Sequence, residues 1–128
     1  MLDTNTASYA LKGHPGVRAR LQDTPMSALT VSAVTQAELL FGVAKRGRPP
    51  GLAERVAAFL LRVQVLPWTS DVAVVYGKLR AACQTRGVAL APLDMMIAAH
   101  AVSAGATLVT SDRAFSHVEE LVLEDWAA

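Results

Sequence analysis

Four carboxylates stand where apolar runs end. Asp3 follows Met1-Leu2, Glu38 follows the run 28–34, and Asp94 and Asp112 flank a segment, residues 95–111, that holds no Asp, Glu, Lys or Arg. In a soluble domain a charge-free segment of that kind lies in the core, so it would deliver both flanking acids to one rim. Carboxylates brought together repel by about 4 kcal/mol per pair at 4 Å and an effective dielectric of 20. Such a cluster must hold protons or bind a cation. With oxygen donors only, no cysteine cluster and no paired histidines, Mg²⁺ or Mn²⁺ is favoured over zinc. A divalent ion on carboxylates with open positions activates water and stabilises a leaving oxygen, which is the chemistry of phosphodiester hydrolysis. Position alone does not decide this, because a chain with 11 acids places some at strand ends by chance. Two of the four also have purely structural readings. Asp3-Thr4-Asn5 suits a helix N-cap, and Thr35-x-x-Glu38 has the pattern of a capping box.

The elements that must position these groups alternate in type. Met1-Leu2 ends an apolar run, and a helix is expected through Tyr9 and Leu11, stopped near Gly13-His14-Pro15. A short helix over 16–22 has Val17 and Leu21 as its apolar pair. Residues 28–34 read as a buried strand and 36–43 as a helix capped by Thr35. The basic stretch 45–51 reads as a solvated loop. A helix over 52–62 places Val56, Phe59 and Leu60 on one face, and 63–68 reads as a strand. Ser70 is expected to cap a helix over 71–86 whose buried stripe is Val72, Tyr76, Leu79 and Cys83, closed by Gly87. The helix over 93–104 carries Ile97, Ala98 and Ala101 on the face of Asp94 and ends at Gly105. Strands over 107–110 and 121–126 complete the chain. Alternation of this kind argues for an α/β fold with a parallel sheet, whose sites form beyond the carboxyl ends of the strands.

The totals restrict the function classes. The 128 residues are read as one domain, 1–128, too apolar for disorder. With a net charge of +1, nucleic-acid contact would need a local basic patch or bound cations rather than an overall basic surface. The single Cys83 excludes an internal disulfide and reads as a core residue. Asp3 and Asn5 interrupt any signal-peptide pattern, and His100, Ser103, Gly105 and Thr107 break the segment 95–111 as a membrane span. A soluble, cytoplasmic protein without a membrane partner is expected.

Taken in order, Leu2-Asp3-Thr4-Asn5, then Ala37-Glu38-Leu39-Leu40-Phe41-Gly42, then Asp94-x-x-Ile97-Ala98-Ala99-His100-Ala101, then Leu108-Val109-Thr110-Ser111-Asp112-x-x-Phe115 resembles a PIN-domain ribonuclease. More narrowly, the chain is similar to the VapC toxins of VapBC toxin–antitoxin modules, through to Val122-x-x-Asp125-Trp126. The resemblance implies a three-layer α/β/α fold with a parallel sheet of about five strands and a Mg²⁺-dependent endoribonuclease in which Mn²⁺ substitutes. Structured RNA, transfer RNA among it, would be the substrate, and a small VapB-like antitoxin the inhibitor. It assigns Asp3, Glu38, Asp94 and Asp112 as the catalytic acids. Asp3, Asp94 and Asp112 would hold metal, Glu38 would complete the shell or orient water, and Thr110 and Asn5 would support them.

Arg80 and Arg86 are candidate RNA contacts, against the plainer reading of surface charges. His100 lies within its helix, so core packing or hydrogen bonding to the site is favoured over catalysis, and His14 and His117 read as turn or surface residues. The apolar surplus points to a homodimer and to a groove beside the early helices for an antitoxin helix. One rival is a non-catalytic PIN-fold module binding RNA or protein, against which all four acids speak. Another is a phospho-acceptor receiver domain, which wants a lysine after its last strand, whereas no lysine follows Lys78. Finally, only two residues precede Asp3, where a central strand of five or six is usual. Met1 is therefore read as an internal or alternative start, with about three or four apolar residues upstream.

Overall fold

Short strands of two or three residues build a parallel sheet. The computed structural model describes residues 1–47 and 49–128. Thr30–Ser32 (β1) pairs in parallel with Gln64–Leu66 (β2), and Leu108–Val109 (β3) with Leu123–Glu124 (β4). Leu2 joins the two pairs, bridging in parallel to Val31 on one side and Val109 on the other. The spatial order is therefore β2, β1, the Leu2 segment, β3, β4, with four named strands and one bridging residue at the centre. Among the described residues six α-helices surround it: Thr4–Leu11 (α1), Pro15–Asp23 (α2), Ala33–Lys45 (α3), Leu52–Arg62 (α4), Ser70–Thr85 (α5) and Pro92–Ala104 (α6).

Alternation along the strands splits the core into two layers. Met1 and Leu108 belong to one apolar cluster, with Val72, Leu79, Cys83, Ile97 and Phe115. Leu2 and Val109 belong to the other, with Ala7, Val17, Val56, Phe59 and Trp126. Helices α5 and α6 thus cover one face and α1, α2 and α4 the opposite one, a three-layer α/β/α arrangement. Helix α6 is buried on nearly every side, from Met95 through Ala101, which is why its sequence carries no charge after Asp94. Gly105, at φ +63°, ends it in the left-handed conformation that glycine adopts without strain.

Several boundaries differ from the sequence reading. The run 28–34 yields only a three-residue strand: Met26–Ala28 is a 3₁₀ turn, and α3 already begins at Ala33. Its cap is Ser32, whose hydroxyl accepts the Val34 N–H at 3.1 Å, and not Thr35, which lies inside the first turn. Apolar burial alone does not separate a strand from the first turn of a buried helix, so the pattern ran through the boundary. The strands read over 63–68, 107–110 and 121–126 are trimmed in the same way. Helix α5 starts at Ser70, with Thr69 at its cap and no side-chain capping bond. Of the basic stretch 45–51, Lys45 closes α3 and Arg46-Gly47 form a turn, while Arg48 lies outside the described residues.

The brevity of the first segment does not leave its backbone orphaned. Leu2 N–H donates to Thr30 O (2.9 Å), Asp3 N–H to Val109 O (3.0 Å) and Val109 N–H to Met1 O (2.8 Å). The Met1 ammonium donates to Thr107 O at 2.7 Å. Thr30, Thr107 and Val109 thus supply hydrogen-bond partners to Met1, Leu2 and Asp3. Among the described residues no helix is long and apolar enough to cross a membrane.

Candidate active site

In a sheet whose strands all run one way, the residues just past the strand ends share one rim. Asp3 follows the bridging Leu2 and is 3% exposed. One of its oxygens, Oδ1, accepts the Thr6 N–H at 2.8 Å, and Oδ2 accepts the Thr110 hydroxyl at 2.6 Å. Asp3 is thus both the N-cap of α1 and a rim carboxylate, so its two readings coexist. Thr110, also buried, accepts the Asp112 N–H at 3.0 Å. Asp112 in turn accepts the Ala114 N–H at 2.9 Å and caps the 3₁₀ turn Arg113–His117. Backbone and hydroxyl groups therefore tie Asp112 to Thr110 and Thr110 to Asp3.

Glu38 is held by a second hydroxyl chain that the sequence reading missed. Its Oε1 accepts the Thr4 hydroxyl at 2.6 Å, and Thr4 Oγ1 lies 3.1 Å from Thr35 Oγ1. Thr4 has one proton and gives it to the carboxylate, so Thr35 donates in the second bond. The Thr-x-x-Glu pattern, read as a capping box, instead places Thr35 and Glu38 on one face of α3, both turned toward the start of α1. That i, i+3 spacing was the signal available. Thr6 was also missed: its hydroxyl donates to Val109 O at 3.0 Å and fastens α1 to β3.

Asp94 differs from the other three acids. It is half-buried in the first turn of α6, and among the described residues no side-chain or backbone donor reaches it. Burial raises its carboxyl above the ordinary value, and the charges of Asp112, Glu38 and Asp3 raise it further. This influence of all three on Asp94 is in keeping with strand ends that share one rim. Among the described residues no three His, Cys, Asp or Glu side chains are placed so as to hold a metal ion by themselves. An open set of carboxylates suits a hard cation that retains water and binds through a few carboxylates plus substrate phosphate, as Mg²⁺ does. The donor set fits such an ion, which would relieve the unsatisfied charge at Asp94.

The remaining candidates fall in different places. Asn5 is exposed in the first turn of α1, with no side-chain hydrogen bond among the described residues. Arg80 on α5 donates to the Tyr76 hydroxyl at 3.0 Å and lies over that ring. Arg86 pairs with Glu120 at 3.0 Å and Glu119 at 4.0 Å. Glu120 lines a hollow with Gly105 and Thr107 at the C-terminal end of α6, about 16 Å along the helix from Asp94. The structure therefore does not bring Arg86 to the acids. His14 caps α2, accepting the Val17 N–H at 3.3 Å, and His117 is exposed at the end of its 3₁₀ turn. His100 is buried.

Residues 1–121 match the family described as PIN domain. A relative from Salmonella typhimurium, named tRNA(fMet)-specific endonuclease VapC, is 34% identical over 98% of this chain and 96% of its own length. The chain belongs to the PIN-domain family, in its VapC branch. Two solved structures agree in fold. A VapBC2 complex from Rickettsia felis bound to a promoter DNA fragment aligns with a TM-score of 0.92 at 30% identity, covering 98% of this chain and 97% of that one. DNA-bound VapBC from Salmonella typhimurium aligns with a TM-score of 0.92 at 34% identity, covering 98% and 96%. As a VapC protein the chain is an endoribonuclease, a hydrolase of phosphodiester bonds. PIN-domain nucleases are in general metal-dependent, in keeping with the open carboxylate rim.

The hydroxyl chain on Glu38 carries a prediction for this VapC. Thr4→Val removes the donor and keeps the shape, and is expected to lower the RNA cleavage rate about 10–100-fold at saturating metal, whereas Thr4→Ser stays within about threefold. Single-turnover cleavage of labelled RNA measures both. Equal rates for the valine and serine variants would show that Glu38 does not depend on this hydroxyl.

Proposed function

We propose that this VapC is a Mg²⁺-dependent endoribonuclease toxin that cuts structured RNA of the transfer-RNA type, with residues 1–128 acting as one PIN domain in the cytoplasm. The observation that carries the reading is Asp94, a half-buried carboxylate with no hydrogen-bond donor among the described residues, whose charge is disfavoured by burial and then by Asp112, Glu38 and Asp3. A bound divalent ion supplies charge stabilisation at the phosphoryl oxygens and lowers the pKa of attacking water. Asp3, Asp94 and Asp112 hold that ion, directly or through water. Glu38, its carboxylate fixed by Thr4, orients the attacking water and receives its proton. Thr110 keeps Asp3 aimed at the rim, and Asn5 and Arg80 are available to the substrate from the exposed surface.

The partner reading rests on the surface of α4. Between α3 and α4 runs an apolar groove of about 650 Å³, floored by Leu40, Val43, Val56, Ala57 and Leu60. Across α4 a second hollow has Leu11, Leu21 and Phe59 at its base and Arg18, Arg55 and Arg62 around it. None of these three arginines pairs with a carboxylate among the described residues. This surface fits an amphipathic VapB-like helix with an apolar face and acidic flanks, from which a basic side chain could extend to the acid rim. Ala57→Glu is expected to abolish binding of the antitoxin encoded beside the gene while leaving RNA cleavage by the purified chain intact. Retained binding would move the antitoxin off this groove. A homodimer would draw on exposed apolar residues outside it, Val74 and Leu93, and light scattering at micromolar concentration decides between dimer and monomer.

The substrate is tested by incubating purified protein with total transfer RNA and Mg²⁺ and sequencing the new ends. Cuts at one position in one transfer RNA are expected, the initiator being the first candidate because two relatives are named for it. Cleavage spread evenly over unstructured RNA would overturn the transfer-RNA reading.

A further inference from the structure

The rim works only if two separately anchored helices stay in register. Asp94 rides on α6 and Glu38 on α3, and the α6 surface is built from small buried groups, Ala98, Ala99 and Ala101 among them. Contacts between small apolar side chains allow close approach but are non-directional, so they do not by themselves fix how one helix slides or turns against another. One directional contact joins α6 to the corner that launches α3: His100 Nδ1 lies 2.7 Å from Ser32 Oγ. Among the described residues it is the one side-chain hydrogen bond between α6 and that corner. His100 is 3% exposed and Ser32 is fully enclosed.

The proton of this bond is assigned to Ser32, because its hydroxyl has no other acceptor among the described residues. Ser32 Oγ itself accepts the Val34 N–H at 3.1 Å. The ring is then the neutral tautomer with the proton on Nε2, in agreement with burial, which holds His100 below the ordinary histidine range. Ser32 is at once the last residue of β1 and the cap of α3, so this bond connects strand end, α3 and α6 at a single atom.

We infer that His100 is a positioning residue, which through Ser32 sets the place of Asp94 on α6 relative to Glu38 on α3. The inference rests on the proposed metal-dependent chemistry of the rim. A shift of about 1 Å in one reacting group is enough to cost about a hundredfold in rate.

The test compares three variants of the full chain by Mn²⁺ affinity, measured by electron paramagnetic resonance, by kcat and KM on RNA, and by thermal unfolding. His100→Leu keeps the apolar volume and loses the acceptor. It is expected to weaken Mn²⁺ binding and lower kcat about tenfold each, with KM for RNA unchanged, while His100→Asn, whose amide oxygen replaces Nδ1, stays within about threefold. Asp94→Asn is the reference for a lost rim. Wild-type Mn²⁺ affinity in folded His100→Leu, with Asp94→Asn impaired, overturns the positioning role and leaves the function reading standing. Unimpaired Mn²⁺ binding in Asp94→Asn overturns the function reading itself. Should His100→Leu not fold, Ser32→Ala takes its place. The ring ¹⁵N signals of metal-free protein must then leave the Nε2–H tautomer and Mn²⁺ affinity must fall; unchanged signals and affinity overturn the inference.

Discussion

Asp94→Asn is expected to lower RNA cleavage by about 10²–10³-fold or more while leaving the protein at least as heat-stable as the parent. Both halves follow from the same observation. No donor reaches the Asp94 side chain among the described residues, so the amide breaks no bond. Burial and the charges of Asp112, Glu38 and Asp3 raise its pKa in the folded protein. A raised carboxyl pKa contributes stability that is present below the ordinary value of 3.8 and is lost as pH rises through the folded value. At neutral pH the ionised group therefore opposes folding, and its neutral amide does not. Cleavage assays and unfolding scans at pH 7 check the pair of effects. Loss of activity with a large fall in Tm would mean that Asp94 packs the fold rather than serves the rim.

Asp3→Asn should give the opposite stability result with a similar loss of activity. Asparagine caps helices as well as aspartate does, so the bond from Thr6 N–H can survive. The second oxygen cannot be replaced. With the amide oxygen kept on the Thr6 N–H, the NH₂ group faces Thr110, whose hydroxyl can accept from it only by giving up the carboxylate that took its own proton. A mismatch at a fully buried carboxylate costs about 1–3 kcal/mol, and in a domain of this size each kcal/mol lowers Tm by roughly 3–6 °C. The contrast between the two substitutions is the informative quantity: one acid serves function alone, the other function and fold. Equal Tm values for Asp3→Asn and Asp94→Asn would contradict the bonding described at Asp3.

The parts of this arrangement that were legible from sequence are those in which burial and chemistry coincide over a long segment. Over residues 95–111 the absence of charge marks the buried helix and strand, and the flanking Asp94 and Asp112 mark the rim. Legibility failed where one pattern serves two geometries. Thr35-x-x-Glu38 fits a capping box and equally a helix face turned toward α1, and only the position of Ser32, which takes the cap, distinguishes them. It failed again where a partner is remote in sequence. Arg86 looks free until Glu119 and Glu120 come to it across the fold, and His100 shows no role until Ser32 lies beside it. The pairing of the central segment, Met1 to Asp3, was not legible for a related reason. Counting residues before Asp3 gave no sign that Thr30, Thr107 and Val109 supply hydrogen-bond partners for it from both sides.

The central claim is that four carboxylates on one rim cut RNA through a divalent cation. Its most direct test follows cleavage of end-labelled transfer RNA by purified wild-type chain after exhaustive treatment with EDTA, then with Mg²⁺ or Mn²⁺ restored, beside Asp94→Asn under the same conditions. The account predicts no cleavage in EDTA, recovery of a defined cut on adding either ion, and no recovery in Asp94→Asn. Undiminished cleavage by the wild-type chain in EDTA would contradict it.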